Sequence, residues 1–271
     1  MASHCVFYEA NVPIGENDDD GDTTVDRFIE SLLRRLIPGY SAIDKTVRRR
    51  TMQLLEEPIK FVQNFPEEVS GTMHSALLNS ANDKDATARV EVAIVLGELA
   101  HGEDIAAIED GVQSLTDILR NLVQFDPSPD VRRAALSGVH TPINKQTLPV
   151  LLSRVKGPDA TVRCTVFLVL KPTPVPARSL SLEQRTLLVR CGLGDRAPVV
   201  KAEACKLFAK WVDATQDLEE FISLFDLSSD KTAEDALGAI LAERPELLND
   251  IDLSTGEKCS AHASTTDALT H

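Results

Sequence analysis

The chain has 271 residues, 43% of them hydrophobic but only 4% aromatic, and a formal net charge of −14. Leu, Ala and Val dominate the apolar fraction, which suits helices and lacks the aromatic residues on which β-sandwiches and barrels draw. No stretch approaches the roughly 18 to 20 uninterrupted apolar residues that span a bilayer, and residues 1–26 lack the basic start and apolar stretch of a secretory signal, so no membrane role is expected.

In chain order, residues 1–25 read as a disordered acidic tail, and residues 1–30 carry a balance of −7. A first amphipathic segment follows: Ile29, Leu32, Leu33 and Leu36 show the i, i+3, i+4, i+7 spacing of one helical face. The spacing predicts helix 26–37 paired with 45–56. The same logic predicts 67–80 with 86–100, 108–124 with 129–139, and 145–155 with 159–170. Further pairs are 181–193 with 197–212 and a weak one at 217–226 with 231–242. Residues 171–176 hold three prolines and must form a loop. The end of the chain, 246–271, is rich in Ser, Thr and Ala without periodicity and reads as a second tail.

Self-similarity links these pairs. A polar or Asp-containing turn, then Val-Arg or a close relative, then an apolar helix recurs as Asp44-Lys-Thr-Val47-Arg48, Asp85-Ala-Thr-Ala88-Arg89 and Asp130-Val131-Arg132-Arg133. It returns as Asp159-Ala-Thr-Val162-Arg163 and Asp195-Arg196-Ala-Pro-Val199-Val200-Lys201. The basic residues at 48, 89, 132, 163 and 201 are spaced by 41, 43, 31 and 38. HEAT and armadillo repeats run to roughly 40 to 47 residues. The fold class that follows is all-α, an α-solenoid of five to six HEAT-type helix pairs over 26–245. In each copy the Asp or small polar residue caps a helix N-terminus, the Val begins the buried stripe, and the Arg or Lys can reach the Asp of an adjacent repeat.

No arrangement of residues composes an active site. The six histidines and five scattered cysteines lack metal-ligand spacing, so no cofactor or metal is expected, and the cysteines read as reduced thiols. Gly192-Leu-Gly194 lacks the third glycine and preceding strand of a dinucleotide fingerprint. Residues 18–22 lack the twelfth-position Glu of a calcium loop and read as solvated carboxylates. Trp211, with Leu207 and Phe208, reads as core.

Charge segregation carries more information. Residues 34–50 balance to +5 and 132–210 to +10, whereas 51–131 and 211–271 each balance to −11. On stacked repeats, basic residues at matched positions line up and can track a phosphate backbone without reading bases. Arg48, Arg163 and Lys201 are assigned to an intramolecular ladder with the capping aspartates. Arg132 holds the same position and is counted also with the phosphate contacts. The remaining candidate phosphate contacts are Arg49, Arg50, Arg133, Arg154, Lys156 and Arg196.

The order of these motifs resembles a known family. Phe125-Asp-Pro-Ser-Pro-Asp-Val-Arg-Arg-Ala-Ala-Leu136, Thr147 through Arg163, Ser181-Leu-Glu-Gln-Arg185, Gly192-Leu-Gly-Asp-Arg196 and Val200-Lys201 are similar to condensin subunit 3, a HEAT-repeat component of the condensin complex. The resemblance covers roughly residues 26–245. It implies a non-enzymatic scaffold that binds a kleisin chain and, with it, double-stranded DNA in a basic groove, acting in mitotic chromosome condensation. The SMC ATPase subunits would be partners through the complex, and the location would be the nucleus and chromosome. Members of the family are several-fold longer, so the chain is expected to represent an N-terminal portion. The other function class left open is a HEAT-repeat protein–protein scaffold, of the transport-receptor or phosphatase type, without DNA binding.

Overall fold

The computed structural model describes residues 24–59, 67–100, 113–139, 147–171, 177–215, 218–225 and 231–243. Every regular element among the described residues is helical. The α-helices are α1 (Thr24–Leu36), α2 (Lys45–Ile59), α3 (Glu67–Ser80), α4 (Ala86–Ala100), α5 (Leu115–Phe125) and α6 (Pro129–Gly138). They continue as α7 (Thr147–Ser153), α8 (Ala160–Leu170), α9 (Leu182–Leu193), α10 (Pro198–Asp213), α11 (Leu218–Ser223) and α12 (Thr232–Glu243). Both anticipated tails fall outside the described residues, apart from Thr24 and Val25, and so do residues 172–176 of the proline-rich loop.

The chain divides into two compact units, Met1–Ile118 and Leu119–His271, with the division inside α5. In the first unit the second helices stack, α4 on α2, and the 3-10 turn Ile37–Ser41 covers α2 and α3. In the second unit α6, α8, α10 and α12 stack in that order, with α9 packed on α10. This succession of helix pairs is the all-α, HEAT-type solenoid class read from the sequence. The core is the apolar seam between the stacked helices: Leu55, Val92 and Leu96 in the first unit, and Leu136, Val166, Phe167, Leu188, Ala204 and Phe208 in the second. Trp211 is buried beside Phe208, with ring centroids 5.2 Å apart.

Several local expectations shift. The helix expected from 108 begins at Leu115, because Ser114 caps it by accepting the amide of Asp117 at 2.9 Å. Residues 108–112 lie outside the described residues. Helix α2 runs on through Pro58, which in the last turn forfeits only one intrahelical bond. The end of α7 tightens into i→i+3 bonds from the amides of Arg154 and Val155, so the helix stops at Ser153 rather than 155. Asp130 is not a cap. The N-cap of α6 is Ser128, and Asp126 instead accepts the Ser128 amide at 2.8 Å. Asp195 likewise precedes the cap Ala197 and accepts its amide at 2.8 Å. Val47, expected to open a buried stripe, is 47% exposed, whereas Ala88, Val131, Val162 and Val200 at the same helix position are buried. On α4, α8 and α10 a preceding second helix packs against the helix; α2 has no such cover among the described residues.

One side chain recurs in the same place. Counting the first helical residue as N1, the fourth position of α2, α4, α6, α8 and α9 is Arg48, Arg89, Arg132, Arg163 and Arg185, and that of α10 is Lys201. Each arginine folds back onto the turn before its own helix. The Nη1 of Arg48 donates to the carbonyls of Ala42 and Ile43, that of Arg132 to Asp126 and Pro127, and that of Arg163 to Gly157 and Pro158. The Nη1 of Arg89 donates to the Asp83 carbonyl, and that of Arg185 to Ala177 and Leu180. Arg163 and Arg48 also reach forward. Arg163 grips Asp195 with Nε at 2.6 Å and Nη2 at 2.9 Å, and Arg48 grips Asp83 with Nε and Nη2. Each aspartate shapes the turn that starts the next second helix, since Asp83 accepts the Asp85 amide as Asp195 accepts that of Ala197. Lys201 has no guanidinium fork and lies exposed on the rim of an open groove lined by Arg190, Cys205 and Asp235.

The Arg163–Asp195 pair is nearly closed to solvent, at 8% and 4% side-chain exposure. The Arg163 guanidinium, against the opposing effect of burial, holds the Asp195 carboxyl below its ordinary value of 3.8. For Asp83 burial opposes ionisation most, and hydrogen bonds from Arg48 and the Asp85 amide outweigh it, so that carboxyl is also lowered. A lowered carboxyl stabilises the fold fully above its unfolded value and loses that contribution as pH falls through the folded value. Arg163→Ala is expected to cost about 3–5 kcal/mol in denaturant unfolding at neutral pH, and Arg163→Lys to recover little of it, because one ammonium cannot serve a carboxylate and two carbonyls. Asp195→Asn should lose less stability than the parent between neutral pH and about pH 3, below the usual carboxylate value near 4. Equal acid sensitivity in the two proteins would refute the assignment.

Helix α9 crosses its neighbours at a glycine. A Cβ on Gly192 would lie 2.5 Å from the Cβ of Ala204 and 3.0 Å from the Phe167 ring. This close approach accounts for the glycine that resembled part of a nucleotide-binding fingerprint. Ala is favoured over Gly within a helix by about 1 kcal/mol, but overpacking a core costs about 1–3 kcal/mol. Gly192→Ala is therefore expected to lower the thermal midpoint, whereas Gly71→Ala, with open space around its Cβ, should raise it.

Candidate nucleic-acid interface

Five candidate basic residues of the second unit lie in or beside the turns that join the helices of a pair. Arg132 and Arg133 sit in the first two turns of α6, Arg154 and Lys156 follow α7, and Arg196 lies between α9 and α10. The stacking of α6 on α8 and of α8 on α10 makes these helices neighbours. The Asp159 carboxyl is lowered chiefly by hydrogen bonds from Thr161 and Val162, and Arg132 also contributes. Burial raises the Cys191 thiol, and Lys156 opposes that rise. The Arg163–Asp195 grip then ties the α8 turn to the turn carrying Arg196.

Along this ridge the candidates differ in how far they are committed. Arg132 spends its Nη1 on two carbonyls of its own turn, so part of its fork serves the fold. Arg133 is 52% exposed and makes one long contact, 3.3 Å, to Asp130 on its own helix. Arg154 is half-buried, with Nε toward Ser153 Oγ at 3.1 Å and Nη1 toward the Gln124 carbonyl at 3.4 Å. Lys156 and Arg196 are exposed.

The first unit carries its own group at the start of α2. Arg50 is exposed and donates to Gln53 Oε1 at 3.1 Å. Arg49 is half-buried, and its Nε is closed off without a hydrogen bond among the described residues. Arg48 is taken up by Asp83 and two carbonyls. Arg132 and Arg133 thus lie at the start of α6, Arg154, Lys156 and Arg196 in or beside the turns that join paired helices, and Arg49 and Arg50 at the start of α2.

Arg89 stands in the repeat motif read from the sequence but was not assigned to the ladder, and Arg185 was in neither. The signal was there: each stands four residues after a helix-capping Asp85 or Ser181. None of the described helices is long and apolar enough to cross a membrane, and no group of metal-ligating side chains converges among the described residues.

No protein-family model matches the chain. Among curated proteins it is 31% identical over 204 residues to condensin complex subunit 3 of Schizosaccharomyces pombe, covering 74% of this chain and 22% of that protein. It is 25% identical over 248 residues to the Homo sapiens condensin complex subunit 3, covering 88% of this chain and 23% of that protein. Among solved structures, a chain of the S. pombe condensin Cnd3-Cnd2 subcomplex superposes with a TM-score of 0.73 at 27% identity, over 82% of this chain and 28% of that one. Kap121p bound to Ste12p shares the fold alone, with a TM-score of 0.50 at 16% identity, over 83% of this chain and 21% of that one. The chain spans 22–23% of the length of the curated relatives it matches. The resemblance read from the ordered repeats is therefore shared by sequence and fold alike: this chain is a relative of condensin complex subunit 3 over most of its length.

Proposed function

We propose that the chain is a non-catalytic HEAT-repeat scaffold of the condensin type that contacts the phosphate backbone of double-stranded DNA and a kleisin partner. The observation that carries the DNA part is the ridge of the second unit, where Arg133, Arg154, Lys156 and Arg196 stand on stacked turns beside helix N-termini. Arg132 adds its charge from within the fold-back, and Arg49 and Arg50 form the corresponding group on α2. Side chains of this kind position a duplex without reading its sequence. The likeness to a chain of the Cnd3-Cnd2 subcomplex supports a partner chain bound along the repeats. On this reading the chain acts in mitotic chromosome condensation in the nucleus, with SMC ATPase subunits as partners through the complex.

The full chain should bind a labelled duplex in a fluorescence-anisotropy titration, with equal affinity for unrelated sequences. Affinity should fall steeply with salt, by a log–log slope of about 0.9 per phosphate contacted. The combined Arg133→Glu, Arg154→Glu, Lys156→Glu and Arg196→Glu variant should bind at least about tenfold more weakly at low salt and show a shallower slope. Absence of binding at low salt, or binding unchanged by these four reversals, would refute the assignment and leave a protein–protein scaffold. Co-purification with a kleisin fragment tests the partner separately.

A further inference from the structure

The residue six places before each fourth-position cation lies in the turn ahead of a second helix: Asp83 before α4, Asp126 before α6, Gly157 before α8 and Asp195 before α10. Asp83 serves two arginines at once. Its carbonyl accepts from Arg89 of its own helix, and its carboxylate accepts from Arg48 of α2, the helix stacked against α4. Gly157 has the first half of this arrangement, since its carbonyl accepts Nη1 of Arg163 at 2.8 Å. It has no side chain for the second half. The helix stacked against α8 is α6, whose fourth-position residue is Arg132. The carbonyls of Asp126 and Pro127 hold Nη1 of Arg132 at 2.7 and 3.0 Å, as in its counterparts. Its Nε and Nη2, the atoms with which Arg48 and Arg163 grip a carboxylate, meet no acceptor among the described residues. Two carboxylates in its neighbourhood are engaged elsewhere. Asp159 caps α8 by accepting from the Thr161 amide and hydroxyl and the Val162 amide, and Asp130 accepts from Arg133.

We infer that Nε and Nη2 of Arg132 form a bidentate clamp for one backbone phosphate of duplex DNA, opened by the glycine at position 157. The inference rests on the duplex-binding reading above and adds to it a contact of fixed geometry. A guanidinium fork takes two oxygens of a phosphate as it takes those of a carboxylate. Arg132 is half-buried and already oriented by two carbonyls, so it loses little side-chain freedom on binding. Exposed Arg133 and Lys156 have no such hold. The surrounding charge favours a phosphate strand. Arg133 follows Arg132 in the chain, Lys156 precedes Gly157, and Arg154 lies three residues before that glycine. A duplex, charged at every nucleotide, can meet the fork and these cations together. The stability that Asp195 contributes at Arg163 is forgone at this layer, the exchange expected where a structural group has been given over to binding.

Gly157→Asp supplies the carboxylate and leaves every cation in place, whereas Gly157→Asn has the same shape without the charge. A Cβ at this position would lie 3.1 Å from the Arg154 carbonyl oxygen, a crowding that both variants share and their comparison cancels. In thermal melting without DNA, Gly157→Asp should melt about 2–4 °C above Gly157→Asn, and the difference should vanish in an Arg132→Gln background. Equal melting of the two would show that residue 157 does not face the fork, and would overturn the clamp. In a fluorescence-anisotropy titration of a labelled duplex with the full chain, Gly157→Asp should bind about tenfold more weakly than Gly157→Asn, with a log–log salt slope smaller by about 0.9. Thr161→Asp sets one charge on an exposed residue of the first turn of α8, outside the fork. Screening by salt should hold its loss below about threefold. Equal losses in Gly157→Asp and Thr161→Asp, or equal affinities of Gly157→Asp and Gly157→Asn, overturn the clamp and leave the wider duplex reading standing. A parent chain that binds no duplex overturns both. Duplex affinity unchanged in Gly157→Asp, with co-purification of a kleisin fragment lost, would assign the fork to a partner's carboxylate and likewise overturn the inference.

Discussion

A guanidinium that turns back on its own helix is the constraint from which the rest of this molecule follows. Successive helix pairs can slide along an apolar seam, because burial is non-directional and rewards many registers almost equally. The arginine at the fourth helical position removes that freedom. Its planar fork needs two turn carbonyls behind it and, for Arg48 and Arg163, a carboxylate ahead of it. These demands fix the angle at which each second helix leaves its turn. They also fix where the next turn sits, since Asp83 and Asp195 shape the backbone that begins α4 and α10. Apolar stacking supplies the cohesion and the arginine supplies the register.

The same chemistry explains why the basic residues had to be divided before any could be read as a surface. Arg132 and Arg133 are neighbours in sequence, yet one bonds two carbonyls of its turn while the other projects from the helix at 52% exposure. Helical geometry rotates adjacent residues by about 100°, so a side chain next to a structural one cannot share its task. Arg154, Lys156 and Arg196 follow a different logic. Arg154 and Lys156 follow the end of α7, where terminal carbonyls favour a cation, and Arg196 is exposed in the turn before α10.

Much of the architecture was legible in the sequence, because a repeat states the same instruction several times. Asp159 and Arg163 announce a cap and a fold-back, and Leu148, Leu151, Leu152 and Val155 announce the helix before them. What was not legible depended on neighbours. Val47 looks like Val162 in the sequence, and the absence of a covering second helix among the described residues leaves it exposed. Asp130 resembles a cap as closely as Asp159 does. It loses the role because Pro129 takes the first helical position and moves the cap back to Ser128. The close approach at Gly192 was equally invisible, since a glycine in a helix gives no sign of what will cross it. The ridge of turns lay in between: its members could be named from the charge pattern, but their adjacency comes from the stacking of α6, α8 and α10.

The fold-back also bears on how such a chain tolerates insertions and deletions. Arg48 meets an aspartate 35 residues on and Arg163 one 32 residues on, with the same bidentate grip in both. The contact measures position in space and is indifferent to the length of chain that intervenes. Residues can thus be gained or lost between a second helix and the following first helix without moving the next layer. One residue added between a turn and its fourth-position arginine would break the fork. The uneven repeat spacing of 41, 43, 31 and 38 residues is what such a rule permits: length drifts where nothing counts it and is held constant over the few residues where a guanidinium does.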